Sequence, residues 1–273
     1  CHNVEVSFSY WMSEKMKKII KIAIIASLVS SAYSVRAQED ELSNDSHVTT
    51  SFVKRQVAQN MSIGRAVKSI VSNYPQEASA VVSTALDMYP DKYQEIIHAA
   101  ISAQPMLTED IVKIALEKNI ASCANIVKTA INAEPSYVDF VVTAAANSTP
   151  EELNEIVRVA VITEPDSADF IVQSLAQQHP NKIVDILSSA IEAVPLVGEY
   201  VVEALLAIFP NDAESVVSTA VRESASERAN VKRIIETAQN FGLDEESIYK
   251  YAKEGGATDE EITAALSEAT EQR

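Results

Sequence analysis

The chain has 273 residues, 47% of them hydrophobic, and its formal net charge at pH 7 is −17. Because this charge repels phosphate backbones and anionic lipid headgroups, nucleic acid and acidic membrane surfaces are poor partners. The charge favours a protein or peptide partner, particularly a basic one.

Residues 16–37 have the three-part layout of a secretory signal peptide. A lysine-rich start is followed by an apolar run over 22–29 and then by small residues. Val35 and Ala37 occupy the −3 and −1 positions of a cleavage before Gln38. The apolar run is shorter than the ~20 residues of a membrane span, and a retained N-terminal anchor helix is the alternative interpretation. We therefore expect a periplasmic or secreted bacterial protein with cleavage after Ala37 and no integral membrane segment afterwards.

Composition divides the rest of the chain. Residues 1–15 begin with Cys rather than Met, so we interpret them as an upstream extension outside the native protein. Residues 38–59 are polar and acidic and are expected to form a linker. A helical repeat domain is expected over 60–224 and C-terminal capping helices over 225–273. Residues 1–37 contain five basic and two acidic residues, so the exported chain would carry a net charge of −20.

The prolines of the chain share one register. Consecutive prolines are 15 residues apart, except for one interval of 30 in which Ile120 occupies the missing position. They are Pro75, Pro90, Pro105, Pro135, Pro150, Pro165, Pro180, Pro195 and Pro210. This regularity predicts an internal repeat.

Apolar residues recur within each unit at the third, sixth, seventh, tenth and eleventh positions after the proline. After Pro165 these are Ala168, Ile171, Val172, Leu175 and Ala176. Spacings of three and four form one helical stripe, and proline is favoured in a first helical turn. Paired β-branched residues also suit strands, but the period of the stripe and the abundance of alanine favour helix.

The predicted fold class is therefore all-α. We expect an α-solenoid of short antiparallel helices, in which 15-residue helical units, each about 17 Å long, pair into 30-residue hairpins. Gly-punctuated capping helices close the C-terminal end. Asp244 and Thr258 are predicted N-caps there, and Glu261 would complete a capping box with Thr258. Neither the period nor the consensus matches tetratricopeptide, ankyrin or HEAT repeats.

Motifs for catalysis are absent from the sequence. There is no HExxH, CxxC or GxSxG, and no glycine-rich phosphate loop. Cys123 is expected to be a buried structural thiol and His179 a solvated turn residue. We therefore predict no catalytic residue, no cofactor and no metal site. An enzyme without a local motif remains the remote alternative, which a cleft gathering His98, Cys123 and a carboxylate would favour.

Two columns with a 30-residue period are candidates for an interaction surface. The first is acidic and consists of Glu109, Asp139, Asp169 and Glu199. It is either a solvated edge or a strip that receives a basic partner or loosely holds Ca²⁺. The second is aromatic and consists of Phe140, Phe170 and Tyr200. It is either core between two layers or an exposed platform for a peptide or glycan.

These patterns favour a non-enzymatic exported helical-repeat protein that serves as an interaction or scaffold module in the bacterial cell envelope. The alternative is a self-assembling structural component of the envelope or extracellular matrix. The sequence leaves the oligomeric state and the identity of the partner open.

Overall fold

The computed structural model describes residues 49–59 and 61–271. The expectations for the upstream extension, the signal peptide and residues 38–48 lie outside these ranges. The chain divides into two units, of which the second runs from Val53 to Arg273 and contains every helix that follows residue 61. Residues 49–58 are helical, although they fall in the expected linker over 38–59. The apolar Val53 explains part of this difference, since its side chain is fully buried.

The described part of the second unit is helical and contains no strand. Its helices after residue 61 are α1 (Ile63–Asn73), α2 (Ala78–Met88), α3 (Tyr93–Ala103), α4 (Thr108–Glu117), α5 (Cys123–Ala133), α6 (Val138–Ser148), α7 (Leu153–Thr163), α8 (Ala168–Gln178), α9 (Ile183–Ala193), α10 (Gly198–Ile208), α11 (Ala213–Glu223), α12 (Arg228–Phe241), α13 (Glu245–Glu254) and α14 (Asp259–Glu271).

Each proline opens a three-residue 3₁₀ turn that leads directly into an α-helix. Before α8, the turn Pro165–Ser167 follows Glu164, whose φ of −136° and ψ of 73° lie outside the helical region. This conformation is expected, because the proline ring disfavours helical geometry in the residue before it. Ala168 then donates its N–H to the Pro165 carbonyl and begins the α-helix. At each proline, only one non-helical residue therefore separates consecutive helical elements.

The connection between α4 and α5, where the register lacks its proline, has a different geometry. Between α4 and α5, Asn119 adopts a positive φ of 50°, and the chain bends before Ser122. The Ser122 side chain accepts a hydrogen bond from the Asn125 N–H at 3.4 Å and caps α5. Asn119 thus ends one helix and Ser122 starts the next, which is the role of the proline at the other junctions of the register.

The helices pack in two layers. Each helix contacts the next one along the chain and packs side by side with the next but one. The odd-numbered helices form one layer, the odd layer, and the even-numbered helices form the even layer. Lys118 and Asp87 illustrate the side-by-side packing, because their ion pair of 2.6 Å joins α4 to α2. This arrangement is consistent with a helical repeat and is solenoid-like.

The apolar stripe of each helix is buried in the core. In α8 the side chains of Ala168, Ile171, Val172, Leu175 and Ala176 are all buried, as the sequence predicted. Burying an isoleucine or leucine completely contributes about 1.5–3 kcal/mol, so burial of the stripes supplies most of the free energy that favours packing of the helices. Tyr93 and Leu116 are exceptions, being only half-buried at stripe positions.

The C-terminal helices α12, α13 and α14 continue the two layers, as α12 packs on α10, α13 on α11 and α14 on α12. The predicted caps are present. Asp244 accepts a hydrogen bond from the Ser247 N–H at 2.9 Å. Thr258 and Glu261 form the capping box, because each side chain accepts a hydrogen bond from the other residue's N–H. Gly242 and Gly256 follow α12 and α13 with φ of 102° and 98°, which favours glycine.

Candidate interaction surface

The aromatic column lies on the surface. Phe140, Phe170 and Tyr200 are 45%, 60% and 58% exposed. They occupy the third position of α6, α8 and α10, which are consecutive helices of the even layer. Packed helices lie about 8–10 Å apart, so the three rings form a ladder with that spacing. The interlayer-core interpretation is therefore wrong, and the alternative of an exposed platform stands.

Three further apolar side chains extend this surface, and the sequence analysis did not single them out. Met106 is 78% exposed and Leu196 is 61% exposed. Tyr137 lies between Met106 and Phe140, with its hydroxyl 3.4 Å from the Met106 sulfur and its ring centroid 5.4 Å from that of Phe140. Their position in the sequence could have indicated this, because Met106 and Leu196 each directly follow a proline of the same register.

We call this surface the aromatic strip. Its members are Met106, Tyr137, Phe140, Phe170, Leu196 and Tyr200. All of them lie in even-layer helices or in the 3₁₀ turns that lead into those helices. Exposed apolar side chains in such a row are typical of a surface that binds another molecule.

The acidic column borders the aromatic strip. Glu109 is exposed, whereas Asp139, Asp169 and Glu199 are partly buried, and the last three each precede a ring of the ladder. The Glu199 carboxylate lies close to the Tyr200 phenol. A hydrogen bond to the Glu199 carboxylate, together with the charge of that carboxylate, raises the pKa of the Tyr200 phenol. The nearby Arg233 acts weakly in the opposite direction.

No family model, curated protein or solved structure matches this chain. Its function is therefore inferred from the chemistry of its own surfaces.

Cys123 has the environment of a structural thiol. Its side chain is buried, and its sulfur lies 3.3 Å from the Thr149 hydroxyl. Burial raises the pKa of the thiol, and the hydrogen bond with Thr149 offsets this only in part. His98 lies instead on the exposed side of α3, where its Nδ1 is 3.5 Å from the Ser102 hydroxyl. A thiol kept protonated by burial is a poor nucleophile.

His179 differs from the solvated turn residue that the sequence suggested. It ends α8, and its N–H donates to the Leu175 carbonyl at 2.9 Å. Its side chain is half-buried, and Nε2 is enclosed without a hydrogen-bond partner among the described residues. The equivalent residues Glu164 and Phe209 are half-buried as well, because the residue before the proline lies at the junction between two helices. Tyr74, before Pro75, is an exception and is 50% exposed.

Every helix within residues 49–59 and 61–271 is too short or too polar to cross a membrane. Within the same ranges, no three His, Cys, Asp or Glu side chains gather closely enough to hold a metal ion. The acidic column, including Asp139 and Asp169, is therefore a row of separate carboxylates rather than a chelating cluster.

Proposed function

We propose that this chain is a non-enzymatic exported helical-repeat protein that serves as an interaction or scaffold module in the bacterial cell envelope. The aromatic strip is its binding surface. The single observation that carries the proposal is the exposure of Phe140, Phe170 and Tyr200 at the same position of three stacked helices. Burial of aromatic rings of this size contributes strongly to binding energy at interfaces.

The partner that fits this surface is an extended basic peptide segment with apolar side chains. The acids next to the rings favour lysine or arginine, and the net charge of −17 attracts a cationic chain over longer distances. The rings favour apolar side chains, and they also receive guanidinium groups on their faces. A segment that alternates basic and apolar residues satisfies both features at once.

The repeat explains why the surface is a row rather than a pocket. In the proposed architecture, the 15-residue units pair into 30-residue hairpins, and the Gly-punctuated C-terminal helices cap the array. Equivalent positions then recur once per hairpin along one layer. Phe140 and Phe170 are one hairpin apart, as are Phe170 and Tyr200, so the binding surface would repeat with the architecture.

Fluorescence anisotropy with a labelled peptide of alternating arginine and leucine tests this proposal. We expect a Kd of about 10 µM for the full chain at low salt. The triple variant F140S/F170S/Y200S should weaken binding at least about tenfold, because it removes the exposed rings without altering the core. The variant D139N/D169N/E199Q should weaken binding and reduce its dependence on salt.

The matched control is Phe241→Ser, because Phe241 is 39% exposed but lies at the end of α12, outside the aromatic strip. It should leave the affinity unchanged. A second control is the peptide with glutamate in place of arginine, which should not bind. Unaltered affinity in the triple variant would contradict the proposal.

Light scattering distinguishes the alternative of a self-assembling structural component. A mass that rises with concentration in the parent chain, but not in F140S/F170S/Y200S, would assign the aromatic strip to contacts between copies. A constant mass would exclude that alternative.

A further inference from the structure

A basic groove lies on the odd layer of this acidic protein. It crosses α1, α3 and α5 and has a volume of about 580 Å³. Arg65, Lys68 and Lys128 line it, together with the polar residues Gln94, Ser102 and Asn132. Its volume is within the range of about 300–1,000 Å³ that is common for small-molecule sites. The abundance of polar side chains favours a polar ligand.

The three cations in the groove are not neutralised by carboxylates. Within the described residues, none of the three has an ion pair within 4.0 Å. Arg158 provides the contrast, since it occupies on α7 the position that Lys128 occupies on α5. Its guanidinium pairs with Glu155 at 2.5 Å. The odd layer is therefore charge-balanced at α7 but carries uncompensated positive charge at α1 and α5.

The one carboxylate that lines the groove is hydrogen-bonded to a backbone N–H rather than paired with a cation. Glu95 accepts a hydrogen bond from the Gly64 N–H at 3.0 Å, at the N-terminal end of α1. A carboxylate is favoured there by the helix dipole. Glycine makes this approach feasible, because a Cβ at Gly64 would lie only 2.6 Å from the Glu95 Cγ. Three cations and one carboxylate leave the groove with a net charge of +2.

The repeat places polar groups at regular steps along the groove. Lys68, His98 and Lys128 hold the same position on α1, α3 and α5, one hairpin apart. Ser102 and Asn132 likewise share a position on α3 and α5. The stacked helices thus form a floor of hydrogen-bonding side chains, with positive charge at both ends.

We propose that this groove binds a phosphate monoester of a sugar or other polyol. A phosphate monoester carries a charge of about −1.5 to −2 and three acceptor oxygens, which matches the groove. Arg65 and Lys68 are three residues apart on one helix and hold the phosphate. Lys128 and the amide and hydroxyl side chains bind the hydroxyl groups of the ligand. Because the rest of the protein is strongly negative, a long polyanion would be repelled while a small anion is accepted.

Isothermal titration of the full chain with glucose 6-phosphate tests this proposal. We expect a Kd of about 0.1–1 mM at low salt. The variant R65Q/K68Q should weaken binding at least about tenfold, because two charge-assisted contacts are removed. Both residues are exposed, so circular dichroism should report an unchanged fold.

The matched control is Lys113→Gln, because Lys113 is an exposed lysine on α4 in the even layer, outside the groove. It should bind glucose 6-phosphate like the parent chain. Glucose without phosphate should give no heat, and sulfate should bind more weakly than the sugar phosphate. No binding of glucose 6-phosphate, or an equal loss in K113Q, would overturn the proposal. Binding only to vesicles that contain phosphatidic acid would also overturn it, since the phosphate would then belong to a lipid surface.

Discussion

Phe170 and Ile171 are adjacent in the chain and have opposite environments. Phe170 is 60% exposed, whereas Ile171 is completely buried. The two residues follow each other on α8, and one helical step of about 100° separates the outer face of the even layer from its core. On this helix, the exposed surface and the buried core therefore meet between two consecutive residues.

Because the two side chains differ in burial, we expect their substitution by alanine to change the free energy of unfolding by very different amounts. Ile171→Ala should lower the free energy of unfolding by about 2–5 kcal/mol, because it leaves a cavity between the layers. Phe170→Ala should change it by less than about 0.5 kcal/mol, since the ring is mostly in solvent. Urea titration followed by circular dichroism measures both. Equal destabilisation by the two variants would contradict the assigned burial.

Two adjacent glycines near the C-terminus should respond differently to alanine. Gly255 is buried, and a Cβ there would lie 2.5 Å from the Ser218 carbonyl oxygen and 2.7 Å from the Val221 Cβ. Gly255→Ala should therefore push α13 away from α11 and cost about 1–3 kcal/mol.

Gly256 has open space around it but a φ of 98°. Gly256→Ala should cost about 1–2 kcal/mol through backbone strain alone. Hydrogen exchange separates the two mechanisms. Faster exchange in α11 should follow the Gly255 substitution and not the Gly256 substitution, and the reverse pattern would contradict this interpretation.

Because Glu199 lies close to Tyr200, we expect the pKa of this one tyrosine to depend on the Glu199 carboxylate. Since Glu199 raises the pKa of the Tyr200 phenol, the phenol should stay neutral to a higher pH than the ordinary tyrosine value of about 10. Glu199→Gln removes the negative charge and should move the pKa back towards that value. Ultraviolet difference spectra against Y200F isolate this group among the nine tyrosines. A pKa unchanged by Glu199→Gln would contradict the contact.

We expect replacement of His179 by an apolar residue to stabilise the fold. Its enclosed Nε2 lacks a partner among the described atoms, and the equivalent junctions before Pro90 and Pro210 carry Tyr89 and Phe209. His179→Phe should raise the free energy of unfolding by about 1 kcal/mol, because an unsatisfied polar atom is replaced by an apolar one. His98→Phe, on the exposed side of α3, is the control and should give no gain. A loss of stability in His179→Phe would indicate that Nε2 is satisfied by solvent.

The helices and their core were predictable from local pattern. Proline fixes where each helical element starts, and spacings of three and four determine which residues share a face, as at Ile171 and Val172. The caps at Asp244 and Thr258 were predictable for the same reason, since capping depends on residues three positions apart. The one-residue junctions were not anticipated, because the 3₁₀ turn after each proline extends the helical path beyond what periodicity indicates.

By itself, the sequence determined the all-α class, the register of the helices and the burial of their apolar stripes, because these depend on interactions within about one helical turn. The tertiary structure decided which way the remaining positions face. Phe140 lies beside the buried stripe, and only the packing of two layers places its ring in solvent. Arg65 and Lys128 are far apart in sequence, and only the side-by-side stacking of α1, α3 and α5 brings them into one groove.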